Sequence, residues 1–397
     1  MRVFPILSYA PPSARAGNLA CTTQATDLEK LAGHPDSYLQ VVKPQFLHPE
    51  LKPGTDEFLE ASVENFRKLI SSQALEEKEA AYWYYHQISP DGGHFKGWIT
   101  GIAALDYEDG RIKKHENTIR DKEARLARHI GELQSVAEPV LLAGSLPEGL
   151  RNLGDAVMKR IPDIQFEDPI HREHSLWSVR EEEAQMEIQK SFASIPALYI
   201  ADGHHRTAAT CLHIRNSRLD PLQNGVMALV MDKKDLNIKS FHRVIHVQAP
   251  AWKLEETCRI MGWSVLKLSG KEALPKKEGI MAFSKEGTFH IAPGKPAAML
   301  DVAAALDVAR LENEIFPSLF GIENSRIDSR ISFLRGDTPE ELLSQMLEDG
   351  KTGWIFTMPA CSMDQIEKVA DAGLVMPPKS TWVEPKLMTG MLIMRFF

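Results

Sequence analysis

From Ile195 to Leu212 the chain reads Ile-Pro-Ala-Leu-Tyr-Ile-Ala-Asp-Gly-His-His-Arg-Thr-Ala-Ala-Thr-Cys-Leu. An apolar run opened by proline suits a short buried strand, Gly203 punctuates it, and Ala208, Cys211 and Leu212 then follow at the spacing of one helical face. Asp202, His204, His205 and Arg206 thereby fall at the carboxyl end of a strand and on the first turn of a helix. Backbone N–H groups and the positive end of the helix dipole gather there, which makes the turn a natural anion site.

The remaining pattern predicts elements around this centre. Met1 to about Pro53 is irregular and proline-punctuated, with one strand expected at Tyr38 to Val42. Phe58, Ala61, Val63, Phe66, Leu69 and Ile70 recur near a period of 3.6, so Thr55 to Glu79 reads as a helix capped by Thr55. Ala81 to Ser89 and Gly97 to Tyr107 are aromatic and β-branched, and Pro90-Asp91-Gly92-Gly93 between them has hairpin turn chemistry. A third strand is expected after Glu108-Asp109-Gly110. It leads through Lys113, Lys114, His115, Glu116, Asn117 and Thr118 into a helix carrying Leu126, Ile130, Leu133 and Ala137, and Thr118 with Asp121 has the form of a capping box.

Further on, a helix is expected around Glu181 to Ser191 and strands at Gly225 to Met231 and Lys239 to Val247. Alternation in the latter puts His242, Val244 and His246 on one face and Arg243 and Ile245 on the other. The centre is therefore a strand-helix-strand unit. Ala251 to about Pro296 reads as a small α+β excursion with Trp252, Ile260, Met261 and Trp263 as its core. Ala304 to Leu319 reads as a helix, followed by a strand at Thr352 to Met358 and a helix at Asp364 to Ala372. Pro377-Pro378 cannot lie in a helix interior, so Lys379, Ser380, Thr381 and Lys386 sit on an extended tail. The fold class is α/β in a mixed α+β form. Three stretches are expected: an N-terminal region 1–250, the excursion 251–300, and a C-terminal segment 301–397 that completes the site.

Composition narrows the function. The 397 residues carry a net charge of -8, with 43% hydrophobic and 25% charged residues, an ordinary globular balance. An acidic chain lacks the basic stripe a nonspecific nucleic-acid binder needs. No run approaches the roughly 18 apolar residues of a membrane span. The four cysteines form no C-x-x-C pair, so reduced thiols and a cytoplasmic location are expected. His171 and His174 invite a metal reading, but no third ligand of suitable spacing stands beside them, and hydrogen-bonded structural histidines are expected instead. Asp349-Gly350-Lys351-Thr352 lacks the first glycine of a phosphate loop, Gln345 standing in its place. His115-Glu116 has Ile119 where a zinc-protease helix needs histidine. No G-x-S-x-G elbow or dinucleotide fingerprint occurs. What remains suits phosphate: backbone N–H groups and Arg206 for the anion, Asp202 or Glu116 for a hydroxyl proton or Mg²⁺.

The chain resembles the family catalogued as domain of unknown function 1015 over nearly its whole length. The resemblance rests on Lys114-His115-Glu116-Asn117-Thr118 with Lys122 and Arg125, on Ala201-Asp202-Gly203-His204-His205-Arg206, on His242-Arg243, and on Met376-Pro377-Pro378-Lys379-Ser380-Thr381 with Pro385-Lys386. It departs near the N-terminus, where the family tends to Pro-Pro-Tyr-Asp and this chain has Leu19-Ala20-Cys21-Thr22-Thr23. The Asp-Gly-His-His-Arg turn is similar to the phosphate-binding turn of the ParB and sulfiredoxin superfamily, which includes free-serine kinases. That resemblance implies a ParB/sulfiredoxin-like core embellished at both ends. It implies a nucleotide, ATP or ADP, with Mg²⁺, and Glu116 in the place of the kinases' catalytic glutamate. Asp202 and His205 join Glu116 as catalytic candidates. Gly203, His204, His205 again, Arg206, His115, Thr118, Lys122, Arg125, His242, Arg243, Lys379, Ser380, Thr381 and Lys386 are the nucleotide-binding candidates. The expected activity is phosphotransfer to a small hydroxyl metabolite, free serine first. A nucleotide-binding regulatory protein without turnover and a phosphatase or other hydrolase are the alternatives, and the oligomeric state stays open.

Overall fold

The apolar run becomes the strand Leu198–Asp202 and the spaced small residues become the helix His204–Asn216. Between them Gly203 takes φ +101°, and a Cβ on it would lie 2.3 Å from Val140 Cγ1, so the turn needs glycine for both conformation and space. The computed structural model describes residues 1–20, 33–268, 279–294 and 300–396. Cys21, Thr22 and Thr23 of the divergent loop, and parts of the 251–300 excursion, lie outside the described residues.

The chain is mixed α/β and forms two compact units, Met1–Leu236 with Pro385–Phe397, and Asn237–Glu384. These boundaries differ from breaks at 250 and 300, and the last residues return to the first unit instead of staying with the C-terminal segment.

The first unit is built on a twelve-stranded sheet. One end of its strand order runs Ile112–Lys113, Leu198–Asp202, Val140–Gly144, Gly225–Asp232, His94–Ala103 and Glu76–Ile88. The hairpin at 90–93 is present, with the Gly92 N–H on the Ser89 carbonyl at 2.9 Å. Thr55 caps the helix Asp56–Ser71 as expected, although that helix ends earlier and Glu76 onward is strand. Leu39–Val42 is a helical turn and not a strand, packed in a cluster with Phe66 and Leu69. Two N-terminal strands, Val3–Phe4 and Ile6–Ala10, belong to the sheet where the pattern suggests only irregular wrapping.

The strand-helix-strand unit is not a parallel crossover. Val140–Gly144 lies between the two strands, antiparallel to Leu198–Asp202 and parallel to Gly225–Asp232. Ile112–Lys113, in contrast, runs parallel to Leu198–Asp202, with Ile112 beside Leu198 and Lys113 beside Tyr199. The carboxyl ends of those two strands therefore open side by side. The helix Arg120–Leu133 follows, but its N-cap is Ile119 and Thr118 makes no cap. The Ile119 N–H is instead turned to His205 Nε2 at 3.2 Å, which sets where the helix starts.

The second unit is an antiparallel six-stranded sheet with helices. In its helix Ala251–Ile260, Ala251, Leu254, Thr257 and Cys258 face inward at helical spacing. Trp252 and Ile260 are consequently 62% and 65% exposed, and Met261 is exposed too, so of the expected core only Trp263 is buried. Its indole N–H donates to Glu314. The helix expected at Ala304 to Leu319 is present from Asp307 to Phe320 with a π-turn over Leu311–Ile315.

Candidate functional site

Two parallel strand ends place the 114–119 loop against the first turn of the His204–Asn216 helix. The His115 backbone N–H donates to His204 Nε2 at 3.4 Å, and the two imidazole rings meet edge to face at 4.5 Å. With Nε2 accepting, neutral His204 carries its proton on Nδ1, the nitrogen 3.7 Å from Glu116 Oε2. Glu116, whose side chain is 43% exposed, thus stands at the solvent side of a buried pair of histidines. The helix itself takes no side-chain cap and has no acidic residue in its first turn.

Beneath this mouth lies a chain of charges. Asp202 accepts from Lys386 Nζ at 2.6 Å through one oxygen and from Arg206 at 2.9 Å through the other. Arg206 reaches on to Glu138 at 2.8 Å and to the Pro139 carbonyl at 3.1 Å, and Thr389 donates to the far oxygen of Glu138 at 2.9 Å. Burial alone would raise the Asp202 pKa, but Arg206 and Lys386 outweigh it and hold the carboxyl at about 2. Arg206 therefore neutralises two carboxylates where the sequence suggests a residue waiting for an anion. Its guanidinium meets acids supplied by the strand before it and by the residue preceding Pro139.

Burial pushes the His115 imidazole down to about 4 and that of His204 well below its ordinary value, the latter helped by its neighbour His115. Both rings are neutral near pH 7. Between pH 4 and 6.5 the unfolded chain binds a proton that folded His115 does not, so stability is full above about 6.5 and falls as pH drops toward 4. A shift of this size is worth roughly 3 kcal/mol. The melting temperature should accordingly fall between pH 7 and 5, and His115→Gln should flatten that slope. Equal slopes in both proteins would remove His115 from the account.

Lys386 reaches Asp202 because the C-terminal strand Ile393–Arg395 is stitched into the first unit's sheet beside Ile6–Ala10. The segment is also pinned by buried Arg172, which donates to the Lys386 carbonyl at 3.0 Å and to Asp168 at 2.7 Å. His174 stands 3.3 Å from Asp168 and 2.8 Å from the Tyr85 hydroxyl, and so is a structural histidine. His171 pairs with Glu167 at 2.6 Å. No cluster of His, Cys, Asp and Glu suited to a metal occurs among the described residues.

Of the candidates, His115, Glu116, Asp202, Gly203, His204, His205, Arg206 and Lys386 gather in the first unit, while Lys122 and Arg125 are exposed on the helix Arg120–Leu133. His242, Arg243, Lys379, Ser380 and Thr381 belong to the second unit. There the strand Phe241–Ile245 is buried on both faces, so alternation separates nothing. Arg243 is wholly buried on Glu312 at 2.6 Å and on the Phe241, Pro378 and Lys379 carbonyls. The Ser380 hydroxyl donates to the Pro377 carbonyl at 2.7 Å. Arg243 and Ser380 hold the loop's shape and are occupied in doing so. Sequence reading missed Glu138 and Thr389, which carry no local motif.

A mixed α/β unit with a glycine turn opening a helix beside a His-Glu loop is the class that fold and site define. Within that class, the chain belongs to the family described as Protein of unknown function (DUF1015), whose model matches residues 21–309. Curated proteins give no significant match. Among solved structures, a free serine kinase in complex with AMP is 12% identical with a TM-score of 0.37, over 72% of this chain and 87% of that one. SbnI with C-terminal truncation from Staphylococcus aureus is 13% identical with a TM-score of 0.38, over 74% and 87%. A conserved hypothetical protein from Pyrococcus furiosus is 13% identical at 0.36, over 72% and 90%. At such TM-scores likeness decides nothing about what this chain binds.

Proposed function

We propose that the Gly203 turn binds the phosphates of a nucleotide, ATP or ADP, and that the protein passes a phosphoryl group to a small hydroxyl metabolite, free serine being the first to try. One observation carries this reading. Side-by-side strand ends set Glu116 and neutral His204 at the start of a helix that has neither a side-chain cap nor an acidic first turn. Such a start favours phosphate through its N–H groups and dipole.

Both Asp202 oxygens are engaged by cations, so Glu116 is better placed to meet the acceptor hydroxyl or a Mg²⁺ arriving with the phosphates. A hard cation held by one carboxylate plus substrate phosphates fits magnesium, and bound there it would neutralise charge on the transferring group. Glu116 accepts the hydroxyl proton, the hydroxyl oxygen forms the new bond to phosphorus, and the bond from phosphorus to the nucleotide's bridging oxygen breaks. Little else is asked of the protein than positioning and charge. His204 fixes the side from which Glu116 approaches, and Lys386 with Arg206 keeps Asp202 ionised and still.

A nucleotide-binding regulatory protein without turnover is the second reading. It is favoured by the engagement of both Arg206 and Lys386 with carboxylates, which commits their charge inside the protein. Purified protein with ATP or ADP, Mg²⁺ and serine separates the readings. Nucleotide at a hundredfold its dissociation constant should stabilise the fold by about 2.7 kcal/mol, and phosphoserine should accumulate. Stabilisation without product supports the second reading. Nucleotide breakdown independent of any acceptor supports a hydrolase, and no stabilisation sinks the nucleotide altogether.

A further inference from the structure

At the edge of the sheet opposite the Gly203 turn, the first unit opens a cleft of about 270 Å³. Strand direction puts it there. Val140–Gly144 and Gly225–Asp232 run parallel and end at the cleft, while Leu198–Asp202 runs against Val140–Gly144 and ends at the other edge. The helix Glu148–Val157 lies over the strands at this point, its Leu150 carbonyl accepting from the Trp98 indole at 3.2 Å. Gly154 in that helix makes room for Tyr84, since a Cβ there would lie 2.6 Å from the Tyr84 hydroxyl oxygen.

Sorting the charged groups of the cleft shows what it lacks. Lys96 is paired with Asp155 at 2.7 Å, and Asp232 takes both Arg151 at 3.2 Å and Lys234 at 3.8 Å. Every cation lining the cleft is therefore already matched. Asp235 is left over, with no hydrogen bond and no ion pair among the described residues. Burial first, and then the charge of Asp232, raise its pKa, and Lys96, Lys234 and Arg151 offset this only in part.

Tyr84 supplies an independent sign. It is 3% exposed, and its hydroxyl has no hydrogen-bond partner among the described residues. That oxygen is not sealed in the core as the unpartnered Trp83 Nε1 is. The charges that act on it are those of Asp155 and Asp235, both in the cleft wall, so the hydroxyl is turned toward the cleft. A buried hydroxyl without a partner marks a place where something else supplies the bond.

We infer that this cleft is a second binding site, for a small molecule that carries a primary ammonium group. An ammonium has three donors and no acceptor, so it can serve the Asp235 carboxylate and the Tyr84 oxygen together and bring the positive charge that Asp235 lacks. An anion would meet Asp235 and Glu148 with every neighbouring cation committed elsewhere. No cluster suited to a metal ion occurs among the described residues. The size falls just below the roughly 300–1,000 Å³ of drug-sized pockets, which suits a ligand of a few carbon atoms lying along Leu146 and Trp98.

The test uses the full chain with no nucleotide present, so its result stands whichever way the phosphotransferase assay falls. Propylamine, 1-propanol and propionate, alike in size and different in charge, are titrated at pH 7 by calorimetry and ligand-observed NMR. Propylamine should bind saturably and about tenfold tighter than 1-propanol, the worth of a charge-assisted hydrogen bond, and propionate should not bind. Asp235→Asn should remove that advantage without lowering the melting temperature, because it also relieves repulsion from Asp232. Tyr84→Phe should weaken propylamine several-fold. Equal binding of propylamine and 1-propanol overturns the inference, and so does propylamine binding that survives Asp235→Asn unchanged. Displacement of propylamine by equimolar potassium would make this a metal-ion site and overturn it too, as would a crystal soaked in propylamine that shows only ordered water at Asp235 and Tyr84.

Discussion

Replacing Glu116 by Gln should lower turnover of the phosphotransfer reaction by about 10²–10⁴-fold, the range of a positioned general base, while nucleotide affinity changes by no more than a few-fold. The amide keeps the shape of the side chain beside His204, 3.7 Å away, and keeps an oxygen able to face a hydroxyl or a metal-bound water. It loses the ability to accept the acceptor's proton as the new bond to phosphorus forms. An interaction that matters chiefly in the transition state appears in kcat and not in ground-state binding. Product formation from serine and nucleotide, followed with binding by calorimetry, checks both halves. A variant that turns over like wild type would remove Glu116 from the chemistry. A variant that loses nucleotide binding as steeply as turnover would make it a ligand of the nucleotide.

Asp168→Ala should destabilise the protein by roughly 3–5 kcal/mol, the cost of stranding a buried charge. Asp168 accepts from the Arg172 Nε at 2.7 Å, from the Ile170 and Arg172 backbone N–H groups at 3.0 and 2.9 Å, and lies 3.3 Å from His174. Burial alone would raise its pKa, but His174 and Arg172 outweigh that and hold it at about 2. With the carboxylate gone, Arg172 is left charged among buried groups, and its grip on the Lys386 carbonyl at 3.0 Å loosens. Urea denaturation should show the loss. Asp168→Ala combined with Arg172→Met should recover part of it, because the second change removes the stranded charge. A loss under about 1 kcal/mol in the single variant would show that the neighbouring groups rearrange to solvate Arg172. Any fall in activity should track loss of the Lys386 contact to Asp202, and so should be milder in Asp168→Asn, which keeps an acceptor for the backbone N–H groups.

What the sequence by itself determined was local. The strand, glycine turn and helix from Leu198 to Asn216, the Thr55 cap and the hairpin at 90–93 follow from periodicity, φ preference and side-chain hydrogen bonds a few residues apart. Those cues act within one or two turns of chain, so they survive without knowledge of neighbours. They mislead where the neighbour decides. Tyr38 to Val42 has strand-like residues yet forms a helical turn, and Thr118 loses its capping place because Ile119 is tied to His205.

Tertiary structure alone decided how the site is assembled. Ile112–Lys113 pairs parallel with Leu198–Asp202 across some 86 residues of chain, 112 against 198, and that pairing is what carries His115 and Glu116 to His204. Strand partners are chosen by whole-sheet burial and by the entropy of closing long loops, neither of which leaves a mark on local periodicity. The same holds for charge. Arg206 reads as an anion ligand in its own segment, but its guanidinium is taken by Glu138 as well as Asp202, and Lys386 reaches Asp202 only because the last strand returns to the first unit's sheet. A charged side chain's role depends on which opposite charge the fold brings within a few ångströms, since the interaction decays with distance and with exposure to water.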